Sequence, residues 1–263
     1  MKTCLARKDI MLVSDEVKET IEFLKQTGFN GCIAGSSMID GDYDNWESIP
    51  DVDLFVYNEP QLIYSSGLME KHYGYDLISG GEEWKFDRVI NHGKQKNAAL
   101  STLKFRKPGG NVNVNITYKQ GLDNMFSVLG SFDMSIIMVG HDIRRKTTVD
   151  LRCGWPGMVP QNETGMWSTS TRIAKPNPLR EQDVDMYGAE MWIRQFDRCI
   201  KYWDRGYDTR PMAEFYIMLI DRVITTGQLF ETENASEAFS AFVEEFTPLR
   251  EKMTNWLKDK EDI

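Results

Sequence analysis

The segment from residue 32 to residue 57 constrains the fold of this chain more than any other. It begins with a short apolar run, Cys32–Ala34, which predicts a strand, and it continues into a Gly-Ser-Ser turn at Gly35–Ser37. After a polar connection, a second apolar run opens with an Asp-Val-Asp sequence at Asp51–Asp53. Because successive side chains of a strand point to opposite faces, the two aspartates are predicted to share one face while their apolar neighbours face the core.

Two carboxylates on one face of a half-buried strand indicate a cation site. Burying Asp51 and Asp53 is costly unless a partner neutralises their charge. Magnesium suits such a pair, since it binds through one or two carboxylates and leaves positions for substrate phosphates. In the preceding turn, Gly35 permits close approach of the backbone, and Ser36 and Ser37 offer hydroxyl and N–H donors to a phosphate.

These motifs resemble the signature of the nucleotidyltransferase superfamily, which has the polymerase-beta-like fold. That signature is an apolar residue followed by Gly and then Gly or Ser, a spacer, and an Asp-x-Asp strand. Here Ala34-Gly35-Ser36 matches the first part and Asp51-Val52-Asp53 the second. The resemblance implies a magnesium-dependent enzyme that uses a nucleoside triphosphate, such as ATP, as its substrate. A turn followed by an edge strand with solvated acids remains the alternative interpretation.

Members of the superfamily usually carry a third acid on a strand beside the Asp-x-Asp strand, and the three carboxylates hold two metal ions. In this chain the corresponding strand, Asn111–Lys119, has Asn113 at that position, and asparagine cannot act as a base. The nearest substitute is Asp133. The resemblance therefore implies Asp51, Asp53 and Asp133 as catalytic and metal-binding residues.

Asp133 also has a simpler interpretation, as a strand-opening acid satisfied by backbone donors or by a surface lysine. An asparagine-rich strand followed by Phe132-Asp133 is further similar to uncharacterised nucleotidyltransferase-like proteins of phages and giant viruses.

A second set of candidate residues lies on a predicted C-terminal helix. Its basic residues are spaced by four, three and four positions, which places them on one helical face: Arg194, Arg198, Lys201 and Arg205. In the resembling proteins, a comparable Arg-x-x-Lys-Tyr element contacts the nucleotide. Arg198 and Lys201 therefore join Gly35, Ser36 and Ser37 as expected nucleotide-binding residues. Ion pairs with acids of the same helix are the other explanation.

Composition excludes several other classes of protein. The four cysteines (Cys4, Cys32, Cys153 and Cys199) form no CxxC pair, which argues against a zinc site and a disulfide framework and predicts a cytoplasmic location. The sequence contains no run of about 18 apolar residues, so no membrane span is predicted. A net charge of −9 disfavours broad binding of nucleic acid. If the protein transfers a nucleotide, this charge modestly favours a compact acceptor over a long nucleic acid.

The order of predicted elements indicates two domains. Residues 1–157 are expected to form an α/β nucleotidyltransferase-like domain with a mixed sheet, and residues 179–263 an all-helical domain. The polar stretch that ends at Pro178 has linker character. Within these domains the patterns predict a hairpin at 99–119, a strand at 132–142, and a last helix at 236–258 that breaks near Thr247-Pro248.

Two functions of different classes follow. The first is transfer of a nucleoside monophosphate to an acceptor hydroxyl on an RNA 3′ end such as that of tRNA, on a protein or on a small molecule. The second is a catalytically inactive nucleotide-binding sensor, inhibitor or scaffold, because the third acid of the resembling enzymes is replaced by Asn113.

Overall fold

The computed structural model describes residues 22, 24–26, 28–39, 51–80, 85–91, 94–110, 112–153, 172–177, 189–226 and 235–261. The chain divides into two compact units. The first comprises Met1–Phe132 and Ile137–Met158, and the second comprises Asp133–Ile136 and Val159–Ile263. The sequence also predicts a helix at 14–27, from the serine cap at Ser14 and the helical spacing of Val17, Ile21 and Leu24, and most of it lies outside the described residues.

A mixed sheet forms the centre of the first unit. The strands are β1 (Gly31–Ala34), β2 (Asp51–Val56), β3 (Asp76–Ser79), β4 (Lys85–Asn91), β5 (Lys94–Arg106), β6 (Asn113–Lys119), β7 (Val139–Asp142) and β8 (Thr147–Asp150). Their order in the sheet is β3-β5-β6-β2-β1-β7-β8, and β4 pairs with β5. Strands β2 and β6 run parallel, whereas the other described neighbours are antiparallel.

One face of this sheet is covered by helix α1 (Glu59–Tyr73). The helix begins at Asn58, whose side chain accepts the Gln61 N–H, and ends at Gly74 in the left-handed conformation that glycine adopts easily. Its buried residues Leu62 and Met69 share one core with apolar residues of β2, β5 and β6. The strand residues of this core are Val52, Leu54, Val56, Leu103, Phe105, Val114 and Ile116. The short helix α2 (Met125–Gly130) packs against β1 and β7.

The predicted hairpin is confirmed. Strands β5 and β6 pair from Leu100↔Lys119 to Arg106↔Asn113, and the Gly110 N–H donates to the Lys107 carbonyl across the turn at 2.8 Å. The first strand is longer than predicted, because β5 begins at Lys94 and also pairs with β4.

The strand predicted at 132–142 is only partly correct. Residues Val139–Asp142 form β7, but Ser135–Ile137 form a 3-10 turn in which the Ser135 N–H donates to the Lys175 carbonyl at 2.8 Å. An apolar run does not distinguish a strand from an irregular buried segment, since both bury their side chains on all sides.

Three described helices form most of the second unit: α3 (Ala189–Asp204), α4 (Arg210–Thr226) and α5 (Ala235–Glu261). The predicted break near Thr247-Pro248 is wrong, because α5 continues through Pro248. Residues 172–177 of the predicted linker are also packed into this unit, through the bridges Ile173↔Asp208 and Met134↔Pro176. No helix among the described residues is long and apolar enough to cross a membrane.

Candidate functional site

The parallel register of β2 and β6 pairs each predicted aspartate with an asparagine. Asp51 lies opposite Asn113 and Asp53 lies opposite Asn115. The Asn113 Nδ2 donates to Asp51 Oδ1 at 2.8 Å, and the Asn115 Nδ2 donates to Asp53 Oδ1 at 2.9 Å. Both aspartates are half-buried while Val52 and Leu54 are buried, so the predicted separation of faces is confirmed.

Two basic residues of β5 complete this face of the sheet. The Arg106 Nε donates to Asn113 Oδ1 at 2.7 Å, and the Lys104 Nζ lies 3.4 Å from Asp51 Oδ1. Neighbouring residues on β5, β6 and β2 therefore run from base to amide to acid in two adjacent rows. We call this surface the polar face; it consists of Arg106, Asn113 and Asp51 in one row and Lys104, Asn115 and Asp53 in the next.

Arg106 determines which way the Asn113 amide points. A guanidinium only donates hydrogen bonds, so the Asn113 oxygen must face Arg106 and the Asn113 NH₂ must face Asp51. In this orientation Asn113 offers Asp51 a hydrogen-bond donor and does not offer its oxygen to a cation between the two acids. Asn113 is only 5% exposed, so its two hydrogen bonds to Arg106 and Asp51 are largely shielded from water.

The turn after β1 lies beside Asp53. Gly35 has a φ of 86°, and a Cβ at this position would lie 3.6 Å from Asp53 Oδ2. Ser36 is half-buried, whereas Ser37 is buried and its hydroxyl donates to the Ala34 carbonyl at 3.4 Å. The predicted turn thus adjoins the predicted acids, although the Ser37 hydroxyl already has a backbone partner. Phosphate binding by Gly35, Ser36 and Ser37 stays a prediction.

Asp51 and Asp53 are the residues of the polar face that would hold a magnesium ion. Both are hard oxygen donors on one strand face, which is the ligand type that magnesium prefers. Within the described part of the chain, no group of three or more His, Cys, Asp or Glu side chains could hold a metal ion. The third carboxylate that a pair of ions requires is therefore not part of this face, where Asn113 and Asn115 occupy the neighbouring strand.

Asp133 and Arg198, expected in different roles, bind each other. The Arg198 Nη1 donates to Asp133 Oδ2 and also to Gln195 Oε1 at 3.1 Å, all within the second unit. Lys201 is exposed, and its Nζ lies 5.8 Å from the ring centroid of Tyr202 on the same helix. The roles of Asp133 as a metal ligand and of Arg198 and Lys201 as nucleotide ligands stay predictions.

A buried cluster lies one row further along the same side of the sheet. The Tyr57 hydroxyl donates to Asp142 Oδ2 at 3.0 Å, and Cys32 pairs with Asp142 across β1 and β7. Burial raises the pKa of the Cys32 thiol to about 12, and burial also raises the pKa of the Tyr57 hydroxyl far above its usual value. Neither group ionises near neutral pH, so this cluster is not a source of a thiolate nucleophile.

Sequence reasoning did not single out Asn115, and it placed Lys104 and Arg106 only in a basic cluster with Lys107, of the kind that a nucleoside triphosphate needs. The signal that could have identified them was the alternation in the two hairpin strands. In both strands the polar residues share one face, and the parallel neighbour of the Asp-x-Asp strand must present that face to the acids.

The sequence matches no protein-family model and no curated protein. Among solved structures, a tRNA-processing enzyme in an apo form is 12% identical with a TM-score of 0.49, over 92% of this chain and 59% of that one. The Thermotoga maritima CCA-adding enzyme complexed with tRNA is 11% identical with a TM-score of 0.48, over 95% of this chain and 58% of that one. A CCA-adding enzyme in complex with ATP is 12% identical with a TM-score of 0.48, over 94% of this chain and 51% of that one.

This chain therefore spans between half and three fifths of the length of those three proteins. The finer resemblance to phage and giant-virus proteins stays a prediction.

Proposed function

We propose that this protein is a magnesium-dependent nucleotidyltransferase whose centre is the polar face. The observation that carries the proposal is the pair Asp51 and Asp53 on one face of β2, each accepting an amide hydrogen from β6, with Asp53 beside the Gly35 turn. Such hydrogen bonds fix the orientation of both carboxylates before a substrate arrives, as a preorganised site requires.

In the proposed reaction, an acceptor hydroxyl oxygen forms a bond to the α-phosphorus of a nucleoside triphosphate. The bond from that phosphorus to the α,β-bridging oxygen breaks, pyrophosphate leaves, and the hydroxyl proton is released to water. Asp51 and Asp53 would hold magnesium, which supplies positive charge against the phosphates when bound. The Gly35–Ser37 turn would support the phosphates, and Asn113 and Asn115 would keep the two carboxylates in place.

The acceptor remains open among an RNA 3′ end such as that of tRNA, a protein side chain and a small molecule. The experiment is to incubate the protein with each labelled triphosphate, magnesium and, in separate reactions, tRNA, total RNA, protein extract and small metabolites. We expect label to appear in one acceptor fraction with release of pyrophosphate. Asp53→Asn should abolish the transfer, while Asp259→Asn, which changes an exposed aspartate on α5, should leave it unchanged.

A second candidate function is favoured by Asn113 itself. Because the position of the usual third acid presents an amide donor to Asp51, the site could bind a nucleotide without turning it over, as a sensor, inhibitor or scaffold would. Magnesium-dependent nucleotide binding that is lost in Asp53→Asn, together with no transfer to any acceptor, would favour this function over the enzyme. Absence of nucleotide binding would contradict both.

A further inference from the structure

Lys104 occupies the position of a cation at the proposed metal site. Its Nζ lies 3.4 Å from Asp51 Oδ1, and the two side chains are 32% and 34% exposed. The aspartate is thus already neutralised in part by an ammonium group of the same chain. A magnesium ion that binds Asp51 must share the carboxylate with this ammonium, and like charges at one oxygen oppose each other.

Arg106, the other base of the polar face, has a different partner. Its Nε donates to the neutral oxygen of Asn113 at 2.7 Å, where it fixes the orientation of the amide. Within the described polar face, the ammonium of Lys104 is therefore the cation placed directly against an acid. Lysine is suited to a change of partner, because its ammonium carries three donors on a flexible four-carbon stem.

A nucleoside triphosphate would offer Lys104 a second anionic partner. Its β- and γ-phosphates are strong acceptors for an ammonium group, and they arrive at the same carboxylates as the metal. We propose that Lys104 is a triphosphate-binding residue that exchanges partners, from Asp51 in the empty site to the phosphates in the loaded one. This inference rests on the proposed function, since it requires magnesium and a triphosphate at Asp51 and Asp53.

The exchange predicts effects of opposite sign for metal and nucleotide when the charge of Lys104 is removed. Without the ammonium, a divalent ion meets no competitor at Asp51, so its affinity in the absence of nucleotide should rise. The triphosphate loses an ionic partner, so its affinity in the absence of metal should fall. A lysine that only supports the fold would not separate the two affinities in this way.

The experiment compares Lys104→Met with the unaltered chain and with Lys107→Met, which removes an exposed lysine just beyond β5. The Kd for Mn²⁺ without nucleotide should fall by about threefold in Lys104→Met, because a half-exposed ion pair contributes a free energy of that order. Binding of ATP in EDTA should weaken by about tenfold, the loss of one charge-assisted contact. Lys107→Met should change neither affinity, and Lys104→Arg should restore ATP binding. Thermal unfolding of each variant reports whether it is folded.

Each outcome decides the inference. If the unaltered chain binds both Mn²⁺ and ATP, and Lys104→Met does not shift the two affinities in opposite directions, the exchange by Lys104 is wrong while the proposed function stands. If the unaltered chain binds only one of the two, the exchange by Lys104 is wrong; if it binds neither, the proposed function and this inference fail together. Should Lys104→Met not fold, Lys104→Gln gives the same test with a polar side chain.

Discussion

Arg198 donates through its Nη1 to the Oδ2 of Asp133, so two side chains 65 residues apart in the chain form an ion pair within the second unit. The side chain of Asp133 is 14% exposed and that of Arg198 is 32% exposed. Arg198 also donates to Gln195, which is buried. This arrangement gives both residues a structural role, whatever else they do.

Removal of Arg198 should destabilise the protein. Arg198→Met leaves the Asp133 carboxylate without its ionic donor, and we expect the free energy of unfolding to fall by about 1–3 kcal/mol. Asp133→Asn should lower the free energy of unfolding by less, because the amide oxygen can still accept a hydrogen bond from Arg198. Chemical denaturation of both variants and of the double variant gives the coupling energy between the side chains. Additive effects would contradict the ion pair, and Arg194→Met, an exposed residue one turn earlier, is the control.

The same Asp133→Asn variant tests the predicted third metal ligand. If Asp133 binds the metal with Asp51 and Asp53, the affinity for Mn²⁺ should fall by about tenfold or more, since a neutral amide is a poorer ligand than a carboxylate. Unchanged affinity in a folded variant would contradict that role and leave the ion pair with Arg198 as the function of Asp133.

Introducing a carboxylate at position 113 should make the free protein less stable and should make its stability depend on magnesium. Asn113 donates to Asp51 at 2.8 Å, so Asn113→Asp would place two carboxylates in contact. We expect the free energy of unfolding at neutral pH to fall by about 1–3 kcal/mol without metal, and magnesium to restore part of it. Asn113→Ala removes the hydrogen bond without adding charge, so it should show no such recovery. Equal stability of the two variants without metal would argue against the predicted repulsion.

Stability should decrease in mild acid partly because of His141. Burial lowers the pKa of this imidazole below its ordinary 6.5, with the charge of Lys25 acting in the same direction and that of Asp142 opposing it. The unfolded chain therefore takes up the proton first as the pH falls, and the free energy of unfolding decreases below about pH 6.5. His141→Gln should lose part of this slope in denaturation curves between about pH 7.5 and 5. An unaltered slope would show that His141 is not responsible.

The described cysteines should differ in reactivity. Burial raises the pKa of the Cys32 and Cys199 thiols to about 12, whereas Cys153 is partly exposed. Because the thiolate is the reactive form, iodoacetamide at neutral pH should label Cys153 well before Cys32 and Cys199. Peptide mass spectrometry after timed labelling measures the order, and labelling in denaturant confirms that all three can react. Early labelling of Cys32 or Cys199 in the native protein would contradict their burial.

Much of the first unit could be predicted because its signals are local. The alternation in Asp51–Val56 determines that both acids share a face, the Pro-Gly-Gly turn joins β5 to β6, and Asn58 and Gly74 bound helix α1. Each of these depends on residues within a few positions of one another, where backbone geometry and capping act directly. The apolar run that contains Ser135 and the proline at 248 show the limit of such signals, since packing decided both.

The sequence by itself determined that this chain carries two aligned carboxylates after a glycine turn and a helical C-terminal half. Only the tertiary structure decided what those carboxylates touch. The parallel register of β2 with β6 joins positions 62 residues apart, so it makes Asn113 a donor to Asp51 and brings Lys104 of β5 against the same acid. A register between distant strands depends on the packing of the whole sheet face, and a shift of one residue would turn every one of these side chains to the other side.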